Sequence, residues 1–146
     1  MFKKLSPMFL VDDVDKVIEW YNKEVFDAKI NATDPENPPY KWVSLLIGDV
    51  EIMFAKKESA VKWYSHNVRI NENISNFIAY IYVEGIDELY QKIKEKTEII
   101  MEPVSQWYGI KEFAIKDPFG IVIVFAEVLK SYNKEERRND KRDRNW

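Results

Sequence analysis

Reactive side chains are scarce in this sequence. The chain has no cysteine and one histidine, His66, which lies in a polar stretch between two apolar regions. Nucleophilic catalysis needs a nucleophile, a base and a group that orients the base. No such set occurs at readable spacing, and His66 is expected to be a solvated loop residue. What remains is a combination of flat aromatics and carboxylates, densest in the stretch 106–127, "QWYGIKEFAIKDPFGIVIVFAE". Trp107 and Tyr108 precede Gly109, Glu112 follows, and Glu127 closes an apolar run. Trp42, Trp63 and Glu102 extend the same inventory. Rings beside carboxylates suit stacking on a planar, cationic or amphipathic molecule.

The elements that would carry these residues are written twice. "VDDVDKVIEWY" begins at Val11 and "VEGIDELYQKI" at Val83, 72 residues later. Val14, Val17, Ile18 and Tyr21 form one apolar helical stripe, and Ile86, Leu89, Tyr90 and Ile93 form another. Asp13 is the expected N-cap of the first helix, and Gly85 takes that place in the second with no side chain to offer. The same offset aligns "IGDVEIMFA" from Ile47 with "FGIVIVFAE" from Phe119, so that Gly48 matches Gly120 and Ile52 matches Val124. Glycine at both places fits a hairpin turn. "PMFLV", "AKINAT", "YKWVSLLI", "NFIAYIYV", "TEIIMEPV" and "KEFAIKD" read as further strands. The fold class is therefore α+β: two tandem βαβββ modules forming a curved mixed sheet with an enclosed groove. One domain is expected over residues 1–129, with modules at about 5–56 and 76–128 joined by 57–75, and a charged tail over 130–146. The proline-rich loop "DPENPPYK" (34–41) is expected to be stiff, and the segment 56–75 to be long enough for a flap or an exchange hinge.

The ordered set of a "V-x-D…Y" entry to the first helix and "DPFG" before the last strand resembles the vicinal oxygen chelate superfamily of glyoxalases, bleomycin-resistance proteins and dioxygenases. The resemblance covers residues 5–128. Where that family has Leu-Gly-Phe after the first helix, this chain has Val25, Phe26 and Asp27. "WYGIKEFAIKDPFGIVIVFAE" is most similar to the bleomycin-resistance branch, with Lys111 in place of an arginine.

Enzymes of this superfamily take metal ligands from four strand positions. The resemblance carries these onto Ser6, Ile52, Ile78 and Val124. A divalent ion needs nitrogen or oxygen donors, and three aliphatics supply none. A slip of one residue brings in Pro7, Met53, Ala79 and Phe125, which are no better. No metal and no cofactor is expected, and Glu127 reads as a strand-end or rim charge.

In the family's register, Met8, Leu10, Phe54, Tyr80, Tyr82 and Val122 join the four metal positions on the concave side. Trp42, Trp63, Trp107 and Tyr108 would lie at the rim with Glu112 nearby. The expected ligand-binding groove thus comprises Met8, Trp42, Phe54, Trp63, Tyr80, Tyr82, Trp107, Tyr108, Glu112 and Val124. The expected function is non-catalytic, drug-sequestering binding of the bleomycin-resistance type, in a homodimer as the resemblance implies. The rivals are an enzyme of the same superfamily, either a glyoxalase-like lyase or isomerase or an extradiol dioxygenase, and a binding domain for another metabolite.

Composition narrows the partners. Residues 130–146 hold seven basic and four acidic side chains, and the other 129 residues hold 15 basic and 21 acidic ones. An acidic body is not expected to bind nucleic acid. No apolar run reaches the ~18–20 residues of a membrane span, and the N-terminus lacks a signal-peptide pattern. The absence of cysteine fits a cytoplasmic setting.

Overall fold

The computed structural model describes residues 1, 3–64 and 77–129. The segment 65–76 with His66, and the tail 130–146, lie outside the described residues, and with them the expectations placed there. The chain divides into two units, Met1–Asn76 and Phe77–Trp146.

In the first unit β1 (Met8–Val11) leads into α1 (Val14–Glu19), which continues as π-helical turns over Trp20–Val25. Then come β2 (Lys29–Asp34), β3 (Trp42–Ile47), β4 (Val50–Lys56) and α2 (Lys57–Trp63). The second unit runs β5 (Ile78–Tyr82), α3 (Ile86–Ile93), β6 (Glu98–Ser105), β7 (Ile110–Lys116) and β8 (Val122–Val128). The sheets have matching orders, β1-β4-β3-β2 and β5-β8-β7-β6. The first strand of each runs parallel to the fourth, and the remaining pairs are antiparallel. Both are open, four-stranded mixed sheets. The helix α2 falls in a stretch expected to be only connecting chain; it buries Ala60. No helix among the described residues is long and apolar enough to cross a membrane.

The helices form where the apolar stripes require them. Val14, Val17 and Tyr21 are at most 1% exposed, as are Ile86 and Ile93, so each helix covers one face of its own sheet. Asp13 caps α1, its Oδ1 accepting from the Lys16 amide at 3.1 Å. At the far end the π-helical turns close with Asp27 in the left-handed region (φ 50°). The amides of Phe26 and Ala28 both donate to the Tyr21 carbonyl there. Asp27 thus takes the backbone conformation that glycine adopts most readily.

The repeat is not strict, and this corrects one expectation. The β3–β4 turn is a two-residue turn, with Ile47 facing Val50 across Gly48 and Asp49. The β7–β8 turn spans 117–121, with Lys116 facing Val122. There the Asp117 carboxylate accepts from the amides of Phe119 and Ile121 at 2.9 and 2.8 Å. Met8 pairs with Met53, whereas Tyr80 pairs with Val124. The first strands therefore match at an offset of 72, but the fourth strands match at 71. Because side chains alternate along a strand, that single residue reverses faces. Ile52 and Phe54, expected on the open face, point at the helix instead. They are 1% and 0% exposed, and the Phe54 ring lies 5.0 Å from that of Tyr21 on the π-helical turns. Met53 and Glu51 occupy the open face in their place.

Candidate functional site

The open face of the second sheet is set by period two. Ala79, Ile123 and Phe125 are buried toward α3, which leaves Tyr80, Tyr82, Val124 and Glu112 on the other side. Tyr80 and Tyr82 are 43% and 63% exposed, and their rings meet edge to face at 5.4 Å. Val124 lies between them and β7, paired with Tyr80 on one side and Ala114 on the other.

Glu112 organises this face. It is only 5% exposed, and its carboxylate accepts three hydrogen bonds. Tyr80 Oη donates to Oε2 at 2.6 Å, while Tyr108 Oη and Gln106 Nε2 donate to Oε1 at 2.6 and 2.9 Å. The donors come from three places: strand β5, and two positions in the tight turn that joins β6 to β7. That turn closes with the Gln106 amide on the Ile110 carbonyl and the Gly109 amide on the Gln106 carbonyl, with Gly109 at φ 78°. Trp107 projects from its tip, 37% exposed, and packs edge to face on Tyr108 at 4.9 Å. Burial and the neighbouring carboxylate hold the Tyr80 phenol far above its ordinary range and push that of Tyr108 up to about 12. Both phenols therefore remain neutral hydrogen-bond donors.

The open face of the first sheet is different. Trp42, Ser44, Met8 and Met53 lie on it, and its carboxylate is Glu51. Glu51 accepts from Ser6 Oγ at 2.8 Å and Ser44 Oγ at 2.7 Å, and it is paired with the Lys4 ammonium. Asn31 Nδ2 donates in turn to Ser44 Oγ at 3.2 Å. The bond from Lys4, with those from Ser44 and Ser6, draws the Glu51 carboxyl down to about 2.

Of the residues expected in one groove, the structure gathers Tyr80, Tyr82, Trp107, Tyr108, Glu112 and Val124 around one face of the second sheet. Met8 and Trp42 lie on the open face of the first. Phe54 lies beneath the helix, and Trp63 stands at the end of α2, 46% exposed. Glu127 is not a rim charge. Its two carboxylate oxygens accept from the amides of Gly85 and Ile86 at 2.8 and 3.1 Å, so a strand residue caps α3 where Gly85 has no side chain to do so. Glu102 is bonded to the Tyr90 hydroxyl. Gln106, Ser44 and Glu51 were not anticipated in the site. The signal available for Ser44 and Glu51 was a polar residue inside an otherwise apolar strand.

In the observed register the four metal-ligand positions of the superfamily's enzymes fall on Ser6, Met53, Ile78 and Val124. One hydroxyl, one thioether and two aliphatics do not fit a hard divalent ion. Among the described residues, no three His, Cys, Asp or Glu side chains gather closely enough to hold a metal.

Known proteins share this fold. A bleomycin resistance protein from Geobacillus stearothermophilus is 28% identical over 135 residues, covering 86% of this chain and 96% of its own length. The crystal structure of TioX from Micromonospora sp. ML1 superposes with a TM-score of 0.70 at 15% identity, over 88% of this chain and 100% of that one. The bleomycin-binding protein of Streptomyces verticillus, solved with copper(II)-bleomycin, gives a TM-score of 0.60 at 16% identity, over 86% and 95% of the two chains. The family model for the Glyoxalase/Bleomycin resistance protein/Dioxygenase superfamily matches residues 5–125, and the chain belongs to that superfamily.

Proposed function

We propose that this protein binds and sequesters a small planar molecule without turning it over, in the manner its bleomycin-resistance relatives suggest. The observation that carries this reading is the open face of the second sheet. It presents exposed tyrosines and a tryptophan-bearing turn around one buried carboxylate, while the positions that enzymes of the family use for metal carry Ser6, Met53, Ile78 and Val124. Exposed rings favour stacking, and the available side chains provide no set of base, nucleophile and orienting group. Homodimerisation belongs to the same proposal, since exposed apolar side chains such as Phe77 and Ile78 border this face.

The test is a titration followed by tryptophan fluorescence and by calorimetry, with bleomycin both metal-free and copper-loaded. Saturable binding with no chemical change in the recovered drug is the expected result. No saturable heat with either form would remove drug sequestration. A stoichiometric, tightly held divalent metal in the purified protein would favour an enzyme instead. Sedimentation that shows only monomer at micromolar concentration would remove the dimer.

A further inference from the structure

The two open faces each hold one carboxylate among hydroxyl donors, but only one of these carboxylates has a cation. Glu51 accepts from two serines and is also paired with Lys4. Glu112 accepts from two phenols and an amide, all neutral, and no Lys or Arg among the described residues forms an ion pair with it. The adjacent lysine, Lys111, is on the opposite face of β7 and pairs with Asp87 of α3 at 2.6 Å. Glu112 is also the more deeply buried of the two carboxylates. A buried carboxylate without a counter-charge pays a desolvation cost that neutral donors offset only in part. Its field emerges between exposed aromatic rings, where a cation is favoured a second time.

We propose that Glu112 is the counter-ion for a cationic, hydrogen-bond-donating group of the ligand, an amidinium, guanidinium or primary ammonium carried on a flat aromatic body. This rests on the binding reading above. The ligand's N–H groups would donate to Oε2, which accepts from Tyr80 alone, while its aromatic part lies against Tyr80, Tyr82 and Trp107. The ligand thus occupies the role that Lys4 plays for Glu51. Tyr80, Tyr108 and Gln106 act as positioning residues, holding the carboxylate in one orientation before the ligand arrives.

The experiment uses the full chain and two probes of the same shape, naphthamidine and its neutral counterpart naphthamide, titrated by NMR against the wild type and Glu112→Gln. The wild type should prefer the amidine by about tenfold or more, the range of one charge-assisted hydrogen bond. Glu112→Gln should lose that preference, binding the two probes alike. Equal binding of the two probes by the wild type would overturn the counter-ion role and leave the binding reading intact. A preference that survives in Glu112→Gln would do the same. If neither probe shifts any resonance of the open face, both readings fall. Should Glu112→Gln not fold, the wild type still decides, because the Glu112 side-chain carboxyl carbon must shift with the amidine and not with the amide. A stationary carboxyl signal under saturating amidine would overturn the assignment.

Discussion

The two units share a topology and differ in the chemistry of their open faces. The first has an internally neutralised polar network of Lys4, Ser6, Asn31, Ser44 and Glu51. The second has an aromatic face around Glu112. Duplication of a βαβββ module fixes strand order and helix packing, because these depend on which positions are apolar. It leaves the open face freer to vary, since α1 and α3 pack on the other one. The family's catalytic members place metal ligands on that face, and here serine, methionine, isoleucine and valine stand in those positions. The difference shows that function has to be read from the site and not from the scaffold.

The comparison can be broken most directly at the slipped register of β4. If Phe54 is a core residue beneath the π-helical turns, Phe54→Ala should destabilise the protein by about 3–5 kcal/mol. Met53→Ala, on the half-covered open face, should cost clearly less. Urea unfolding of both variants checks this, and equal losses would place the two residues on the wrong faces.

The helix caps give a smaller contrast. Asp13 caps α1 from the adjoining residue, whereas Glu127 caps α3 from a strand 41 positions away from Ile86. Removal of either, by Asp13→Ala or Glu127→Ala, should cost about 1 kcal/mol. Glu127→Ala alone should loosen the contact of α3 with β8, visible as faster amide exchange in 85–88.

The two carboxylates should also differ in acid. The folded value of Glu51, about 2, lies below its ordinary 4.5, so between these values the unfolded chain binds more protons. The stability that Glu51 contributes is then fully present above pH 4.5 and lost as pH falls toward 2. Melting temperatures measured from pH 5 to 2 should fall less steeply in Glu51→Gln than in the wild type, and Lys4→Met should narrow the window. Identical slopes in all three proteins would show that Lys4 does not hold Glu51.

The finest probe is spectroscopic. Tyr108, raised first by burial and then by Glu112, should ionise near pH 12 in an ultraviolet titration, and Glu112→Gln should lower its transition part of the way by removing the adjacent negative charge. A transition unmoved by that substitution would mean that burial alone raises it.

Much of the fold was legible in the sequence. The helical stripes at Val14–Tyr21 and Ile86–Ile93, the cap at Asp13 and the glycines at both hairpin turns are local features, each with its own periodicity or backbone requirement. The alternation in β5 was readable because the resemblance supplied its register. The face of β4 was not. Both faces of β4 and β8 are largely apolar, so their pattern carries no phase, and the phase is set by turns of different length at Gly48 and Gly120. The partners of Glu127, at the end of β8, were hidden for a related reason: the amides of Gly85 and Ile86 are distant in sequence and become neighbours only when β8 lies beside β5.

By itself the sequence determined the duplicated module, the amphipathic helices and the scarcity of histidine and cysteine, because composition and short-range periodicity record these directly. Only the tertiary structure decided which residue of each strand faces outward, and which carboxylates already have partners. Those outcomes depend on strand pairing between distant segments. A one-residue shift in strand register is enough to exchange Phe54 for Met53 on a face, and one lysine is enough to separate Glu51 from Glu112.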